Sequence, residues 1–245
     1  MEQALNKQLG KKAKAVTLNV GALKAGWEYA EAQLTKQDPF HIEKMNETAG
    51  KILIEGNAAA AIGCMVEKVV TAWGRVDILV NNAGGGIGPK GLEATLDAEW
   101  DAVVDFNLKS QFLCCRAVAA PMRRQAWGRI INIASNAGRH RSNTGFGGLA
   151  YSAAKGGVLQ LTRSVAHELG VAGITVNAIA PGAATPMTET IRTDDRFKDK
   201  YLARIPLGRW AEPREIAPVF VFFASDAASY VTGQVLAADG GMTIR

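Results

Sequence analysis

A tyrosine and a lysine stand four residues apart in the segment Tyr151-Ser152-Ala153-Ala154-Lys155. In a helix, this spacing places both side chains on one face. A phenol titrates near pH ~10, which is too high for a general acid or base at neutrality. A neighbouring ammonium favours the phenolate and so lowers that pKa. The pair therefore predicts a proton-transfer centre, although the same spacing also occurs by chance at ordinary helix starts.

Short groups of polar residues and glycines stand elsewhere in the chain, most of them just after β-rich runs. They are Asn81-Asn82-Ala83-Gly84, Asn107-Leu108, Ser135, Pro181-Gly182 and Asp239-Gly240-Gly241. Taken singly, each has a structural interpretation, because Asn107 could cap or kink a helix, Ser135 could close a strand and Pro181-Gly182 could form a turn. Their order along the chain favours the functional interpretation.

The elements that must position these residues alternate along the chain from about residue 50. Segments typical of strands lie at 52–54, 76–80, 129–134, 174–180 and 235–238, and helical segments lie at 58–73, 98–125, 151–169 and 213–225. Apolar strands separated by helices are typical of a parallel sheet covered on both faces. In such sheets, ligands bind outside the carboxyl ends of the strands. We therefore expect an α/β fold, a three-layer doubly wound parallel sheet, in a single domain over residues 1–245.

With these motifs in this order, residues from about 50 to 245 resemble the short-chain dehydrogenase/reductase family. The chain is most similar to members of the 3-oxoacyl-carrier-protein reductase-like and sugar or polyol dehydrogenase-like groups. The resemblance implies a Rossmann-like fold and an oxidoreductase. Such an enzyme transfers a hydride between NAD or NADP and a small-molecule carbonyl or secondary alcohol.

The resemblance also implies the role of each candidate catalytic residue. Tyr151 would give a proton to the carbonyl oxygen, or take it from the alcohol. Lys155 would lower the pKa of Tyr151 and bind the nicotinamide ribose. Ser135 would hold the substrate oxygen, and Asn107 would position a water that relays protons from Lys155 to solvent.

Further residues would bind the cofactor. Those that the resemblance places on the adenosine side are Asn82, Ala83 and Gly84, and those beside the nicotinamide are Pro181, Gly182 and Thr185. Thr185 follows Pro181 one residue sooner than the family pattern. Glu55, at the end of the predicted strand 52–54, could accept a hydrogen bond from the adenine amino group. The choice between NAD and NADP depends on a strand that the sequence does not locate.

The N-terminal region departs from the family pattern. The family begins with a strand, a glycine-rich turn and a helix whose free N–H groups bind the pyrophosphate. Residues 1–50 contain no such turn, because Leu18, Asn19 and Val20 follow the strand-like segment 15–17. Either the first strand and turn are missing and 13–20 is the second strand, or 13–17 is the first strand and an altered segment follows. A frame error in the gene would look the same.

A literal G-x-G-x-x-G motif occurs at Gly86-Ile87-Gly88-Pro89-Lys90-Gly91. Pro89 removes an amide donor, and no helix is predicted directly after the motif. We interpret it as a surface loop beside the site. The missing glycine turn predicts weak binding of both dinucleotides, and it leaves open a rival hypothesis in which the chain is a non-catalytic subunit or scaffold.

Bulk properties exclude several other classes of protein. The net charge of +5 is scattered along the chain, which argues against nucleic-acid binding. The longest apolar run, 216–224, is too short to span a membrane, and the N-terminal residues show no apolar segment typical of a secretory signal. Three cysteines (Cys64, Cys114 and Cys115) and three histidines (His41, His140 and His167) lack metal-ligand spacing. We expect a cytoplasmic protein without a metal site.

The sequence also predicts subunit contacts and a lid over the substrate. Val158, Leu161, Val165 and Leu169 would form one apolar helix face, and residues 112–120 would form another. In proteins that the chain resembles, such helices pair across subunits, so a homotetramer is expected and a dimer is the second choice. Residues 187–206 would form a lid over the substrate.

Overall fold

The computed structural model describes residues 59–86, 91–139 and 148–244. The helices are α1 (Ala59–Trp73), α2 (Asp97–Val104), α3 (Ser110–Gln125), α4 (Gly148–Gly170), α5 (Glu189–Thr193), α6 (Lys198–Leu202) and α7 (Pro213–Ala224). The strands are β1 (Ile78–Asn81), β2 (Gly128–Ile133), β3 (Ile174–Pro181) and β4 (Val235–Ala238). Short 3-10 turns follow at Asn136–Gly138, Pro186–Thr188 and Asp226–Ala228.

The four described strands form one parallel sheet in the order β1-β2-β3-β4. The register pairs Asn81 with Asn132 and Ile133 with Ile179. Every residue of β2 is buried, as is every residue of β3 except its last. Such strands need apolar cover on both faces, so the predicted α/β class with a parallel sheet is confirmed. The predicted strand 52–54 lies outside the described residues.

Successive side chains of the strands point to opposite layers of helices. Ile130 packs with Val118, Met122 and Leu169 in a cluster contributed by α1, α3 and α4. Its neighbour Ile131 packs in a separate cluster that includes residues of α7. The sheet therefore lies between two helical layers. None of the described helices is long and apolar enough to span a membrane.

The segment 98–125 does not form the single helix that its pattern predicts. It consists of α2, a π-helical turn at Asp105–Lys109, and α3. Within this turn the Asn107 side chain donates to the carbonyl of Val103 at 2.8 Å. Single π-helical turns inside α-helices are frequent at functional sites. Here the turn presents Asn107 toward the carboxyl edge of the sheet.

The helix face predicted for subunit assembly is partly used inside the subunit. Val158 and Leu169 are buried in the core of this chain, because they face the sheet on which α4 packs. Leu161 and Val165 are only partly buried, and Phe112 on α3 is 43% exposed. The prediction was therefore wrong for Val158 and Leu169. An interface on these helices would have to use their outer residues instead.

A glycine allows the 3-10 turn after β2 to lie directly on the backbone of α4. A Cβ on Gly138 would stand 2.5 Å from the Lys155 carbonyl carbon and 2.6 Å from the Gly156 nitrogen. Backbone atoms at such distances must move apart. Gly156, on the opposite side of this contact, has room, since its Cβ would meet only the Gly138 oxygen at 3.6 Å.

Alanine at these two glycines should therefore have opposite effects. We expect Gly138→Ala to lower the free energy of unfolding by about 1–3 kcal/mol, since the turn must separate from α4. Gly156→Ala should leave stability unchanged or raise it slightly, because alanine favours the helix. Urea unfolding of both variants measures the difference. Equal stability of the two would show that the turn does not depend on this contact.

Candidate active site

Three elements bring the four predicted catalytic residues to one edge of the sheet. Ser135 follows β2, Asn107 lies in the π-helical turn, and Tyr151 and Lys155 lie on α4, which begins at Gly148. The carboxyl ends of parallel strands meet at one edge of a sheet, which is where ligands bind in this fold class.

The Lys155 ammonium is enclosed by protein. The residue is 2% exposed, and its Nζ donates to the carbonyl of Ile133 at 2.7 Å. The same Nζ lies 5.7 Å from the centre of the Tyr151 ring. Burial disfavours the charged form and lowers the pKa of Lys155 to about 8. This side chain can therefore gain or lose a proton close to physiological pH.

The Tyr151 phenol is buried and shares a hydrogen bond with the Ser135 side chain. Burial raises the pKa of Tyr151, and the hydrogen bond from Ser135 acts in the opposite direction. The sequence suggested instead that the ammonium would lower this pKa. In this structure that effect does not dominate, because Lys155 donates to Ile133 and the phenol lies in an apolar setting. The phenol is thus protonated near neutrality.

Ser135 is held in place by its own turn. Its hydroxyl oxygen accepts a hydrogen bond from the Ala137 N–H at 3.1 Å, which caps the turn Asn136–Gly138. A serine in this position satisfies a free backbone donor at the start of a turn. The cap fixes the hydroxyl beside Tyr151, so two hydroxyl groups converge where a carbonyl oxygen could be bound.

Asn107 is fully buried and joins its helix to the segment after β1. Its side chain accepts from the Gly85 N–H at 3.0 Å and donates to the Gly85 carbonyl at 2.8 Å. With the bond to Val103, the amide oxygen and both amide hydrogens are all used by backbone groups. The side chain therefore fixes the position of Gly84 and Gly85 at the edge of the sheet.

Gly84 lies against two of the predicted catalytic residues, Asn107 and Lys155. A Cβ here would stand 2.7 Å from Asn107 Oδ1 and 3.1 Å from Lys155 Nζ. The absence of a side chain thus lets the segment after β1 touch both polar groups. The last residue of the motif 81–84 thus lies in one cluster with Asn107 and Lys155.

The cofactor-side candidates lie at the same edge but in looser surroundings. Asn82 and Ala83 are exposed, and Pro181 and Gly182 are partly buried at the end of β3. Thr185 begins the turn Pro186–Thr188, and its N–H donates to Thr188 Oγ1 at 2.9 Å. Glu55 and the N-terminal region lie outside the described residues.

The described part of the site fits the nicotinamide end of a dinucleotide. An ammonium has three donor hydrogens, and among the described residues Lys155 donates one of them, to the Ile133 carbonyl. Thr185 and the phenol of Tyr151 add hydroxyl groups suited to sugar and amide atoms. In the described residues, no cluster of acidic, cysteine and histidine side chains could hold a metal ion.

The literal glycine motif beside β1 does not open a helix. After Gly91 the chain forms turns, and α2 begins only at Asp97. Residues 87–90 lie outside the described residues. A phosphate cradle needs a helix N-terminus directly after the glycines, which supports our interpretation of this segment as a loop.

One buried residue at the site had not been predicted from the sequence. Gln111, one turn after Asn107 on α3, is 1% exposed and donates to the Ile133 carbonyl at 3.0 Å. That carbonyl is also the acceptor for Lys155. The available signal was its spacing of four residues from Asn107, the same spacing that relates Tyr151 to Lys155.

The contact at Gly84 leads to a specific prediction. Gly84→Ala should reduce kcat by roughly tenfold or more, because the new methyl group displaces Asn107 and the Lys155 ammonium. Stability should fall little, since the neighbouring atoms of Asn107 and Lys155 are side-chain ends rather than backbone. Gly91→Ala, where none of the described residues would lie within 4 Å of the new methyl group, is the matched control. Activity assays and melting curves on both variants provide the measurement. Full activity of Gly84→Ala would contradict this packing.

Comparison with known proteins places this geometry in a family. Residues 20–243 match the family described as enoyl-(acyl carrier protein) reductase. A 3-oxoacyl-[acyl-carrier-protein] reductase of Synechocystis is 40% identical over 237 residues, covering 95% of this chain and 92% of that protein. The (2S)-[(R)-hydroxy(phenyl)methyl]succinyl-CoA dehydrogenase subunit of Thauera aromatica is 44% identical over 198 residues, covering 80% and 76%.

Solved structures show the same relationship. The crystal structure of levodione reductase superimposes with a TM-score of 0.72 at 36% identity, covering 78% of this chain and 76% of that one. The family suggested by the site motifs is therefore confirmed, and with it a nicotinamide-dependent oxidoreductase. The alternative of a non-catalytic scaffold is not favoured. The chain belongs to the short-chain dehydrogenase/reductase family.

Proposed function

We propose that this protein reduces a ketone to a secondary alcohol, with Tyr151 as the proton donor to the carbonyl oxygen. The observation that carries the proposal is the hydrogen bond between the Tyr151 and Ser135 side chains, within one turn of the buried Lys155. The nicotinamide cofactor supplies the hydride when bound. The protein supplies orientation and the proton.

The two hydroxyl groups have complementary tasks. Ser135 is fixed by its cap, and with substrate bound its hydroxyl would turn its single hydrogen from Tyr151 to the ketone oxygen, which polarises the carbonyl. Tyr151, protonated near neutrality, delivers its proton as negative charge develops on that oxygen. Lys155 stands close enough to stabilise the phenolate that remains. The reverse reaction, oxidation of the alcohol, requires Tyr151 in its phenolate form.

Asn107 contributes chiefly by positioning. The family resemblance assigns it a relay water between Lys155 and solvent. Since its amide is bonded to Gly85 and Val103, we propose that its side chain holds the segment after β1 beside Lys155. The relay then starts at Lys155, whose pKa of about 8 suits proton exchange near neutrality.

The residues proposed to hold the cofactor divide between its two ends. Lys155, Tyr151 and Thr185 would bind the nicotinamide ribose and amide, and Pro181 and Gly182 would border the ring. Those proposed for the adenosine end are Asn82, Ala83, Gly84 and Glu55. The cofactor is NAD or NADP.

Acyl thioesters are the substrate class that we propose. The two relatives described above are named for substrates carried on acyl-carrier protein and on coenzyme A. Both kinds of acyl group are carried on a thiol, and in both the reaction interconverts a carbonyl and an alcohol. A 3-oxoacyl thioester is therefore the first substrate to assay.

We also propose a single domain and a homotetramer in the cytoplasm. Phe112 and the outer residues of α3 and α4 are available for subunit contacts. Cys114 and Cys115 are free thiols, which suits a reducing compartment.

Replacement of the phenol provides the first test. Tyr151→Phe should lower kcat by at least roughly a hundredfold, because general acid catalysis contributes that much or more. The melting temperature should stay within a few degrees, since one hydroxyl is lost. Tyr230→Phe, which removes an exposed hydroxyl, is the control. Steady-state kinetics with a 3-oxoacyl thioester measure both. Turnover close to the wild-type value in Tyr151→Phe would reject Tyr151 as the proton donor.

The ionisation of Lys155 predicts a pH dependence. Below about 8 the ammonium is present and supports reduction, and above about 8 it loses its proton. We therefore expect kcat for reduction to be level at neutral pH and to fall as pH rises through this value. Oxidation, which needs the phenolate, should instead increase with pH. A reduction rate that remains level to pH ~10, the range of an exposed lysine, would disagree with this account.

The missing glycine turn predicts weak cofactor binding. Hydrogen bonds to charged groups contribute about 1.5–3 kcal/mol each. Losing two of them would weaken binding by roughly 3–6 kcal/mol, on the order of a hundredfold to ten-thousandfold. We expect calorimetry to give dissociation constants in the high micromolar range or above for both NADH and NADPH. A low-micromolar constant for either would show that another segment binds the pyrophosphate.

A further inference from the structure

The Ile133 carbonyl, at the end of β2, accepts hydrogen bonds from two side chains. Lys155 Nζ donates at 2.7 Å and Gln111 Nε2 at 3.0 Å. A carbonyl oxygen has two lone pairs, so these donors fill it completely. The ammonium proposed to act in catalysis thus shares this acceptor with a neutral amide from another helix.

The carbonyl is free for side chains because the neighbouring strand stops short of it. The register between β1 and β2 ends at the pair Asn81 and Asn132, one residue before Ile133. On its other side Ile133 pairs with Ile179 of β3. The end of β1 therefore leaves a place beside β2 that α3 and α4 fill with polar side chains.

Burial of the Gln111 amide costs free energy that a purely structural role would not require. Its side chain is 1% exposed, and its Oε1 has no hydrogen-bond partner among the described residues. An unpaired buried acceptor costs free energy, whereas an apolar side chain of the same size would not. The bond that its amide makes among the described residues goes to the Ile133 carbonyl, which is also the acceptor of Lys155.

We propose that Gln111 is a positioning residue that limits the hold of the Ile133 carbonyl on the Lys155 ammonium. Two donors on one oxygen weaken each other, because each withdraws electron density from the same acceptor. Lys155 is thereby kept free to turn from Ile133 toward the cofactor and Tyr151. This inference rests on the proposed function, in which Lys155 acts at the cofactor and at the phenol.

The electrostatic surroundings make the effect measurable. The titratable group shown beside the ammonium is Tyr151, the neighbouring Asn107 and Gly84 carry no charge, and no charged partner among the described residues contributes to the pKa of Lys155. Burial is the cause that lowers the pKa of Lys155. Removing the amide donor would strengthen the bond between the ammonium and Ile133, and so favour the charged form.

Gln111→Met tests the inference in the full-length protein. It removes the donor and nearly conserves the volume of the side chain. We expect kcat for ketone reduction to fall roughly threefold to tenfold and KM for the cofactor to rise, with KM for the ketone unchanged. The alkaline fall of kcat should move to higher pH. Gln111→Glu, whose carboxylate would pair with the ammonium, should move it further in the same direction.

Ser110→Ala is the matched control. Ser110 is the buried neighbour of Gln111, and its hydroxyl donates to the Phe106 carbonyl at 2.7 Å, away from Ile133. The variant Ser110→Ala loses one hydrogen bond on the same helix, so a general loss of stability in this helix should affect both variants. We expect no displacement of its pH profile.

The outcomes separate this inference from the proposed function. If Gln111→Met had the wild-type kcat, cofactor KM and pH profile, the inference would be overturned, and Gln111 would be a core residue. The same displacement in Ser110→Ala would overturn it as well. If Tyr151→Phe is inactive while Gln111→Met resembles the parent, the inference fails alone. If Tyr151→Phe stays active, the proposed function itself fails.

Discussion

The burial of one ammonium group is the constraint on which the site depends. Lys155 lies almost entirely within the protein, where a charge is costly unless hydrogen bonds compensate it. The compensation comes from the Ile133 carbonyl, which is available because β1 ends early. Asn107, Gly84 and Gly138 each pack against Lys155 or hold a segment that does. The edge of the sheet is thus built around this charge.

The same burial sets the two pKa values in opposite directions. Desolvation lowers the pKa of Lys155, and it raises that of Tyr151, because the charged forms are an ammonium and a phenolate respectively. A protonated phenol beside a hydroxyl suits the delivery of a proton to a ketone. Family membership shows a nicotinamide-dependent oxidoreductase, and the site geometry supports our proposal that the substrate is a ketone.

Much of this arrangement could be predicted from the sequence. The Ile- and Val-rich runs of β2 and β3 predicted buried parallel strands to within one residue, because apolar runs between helices have few other solutions. The π-helical turn was not predictable, since it depends on contacts of Asn107 with the distant Gly85. Gln111 resembled a surface residue of an amphipathic helix. Val158 and Leu169 were assigned to an interface because one apolar stripe cannot reveal which partner covers it.

Titration of Lys155 itself tests the central claim most directly. Nuclear magnetic resonance of isotope-labelled lysine side chains, assigned through Lys155→Met, would follow its ionisation in the full-length protein. The account predicts a pKa of about 8 for Lys155, coincident with the alkaline fall of kcat for reduction. A value near ~10.4, as for a lysine in water, would contradict the burial of this charge and the mechanism built on it.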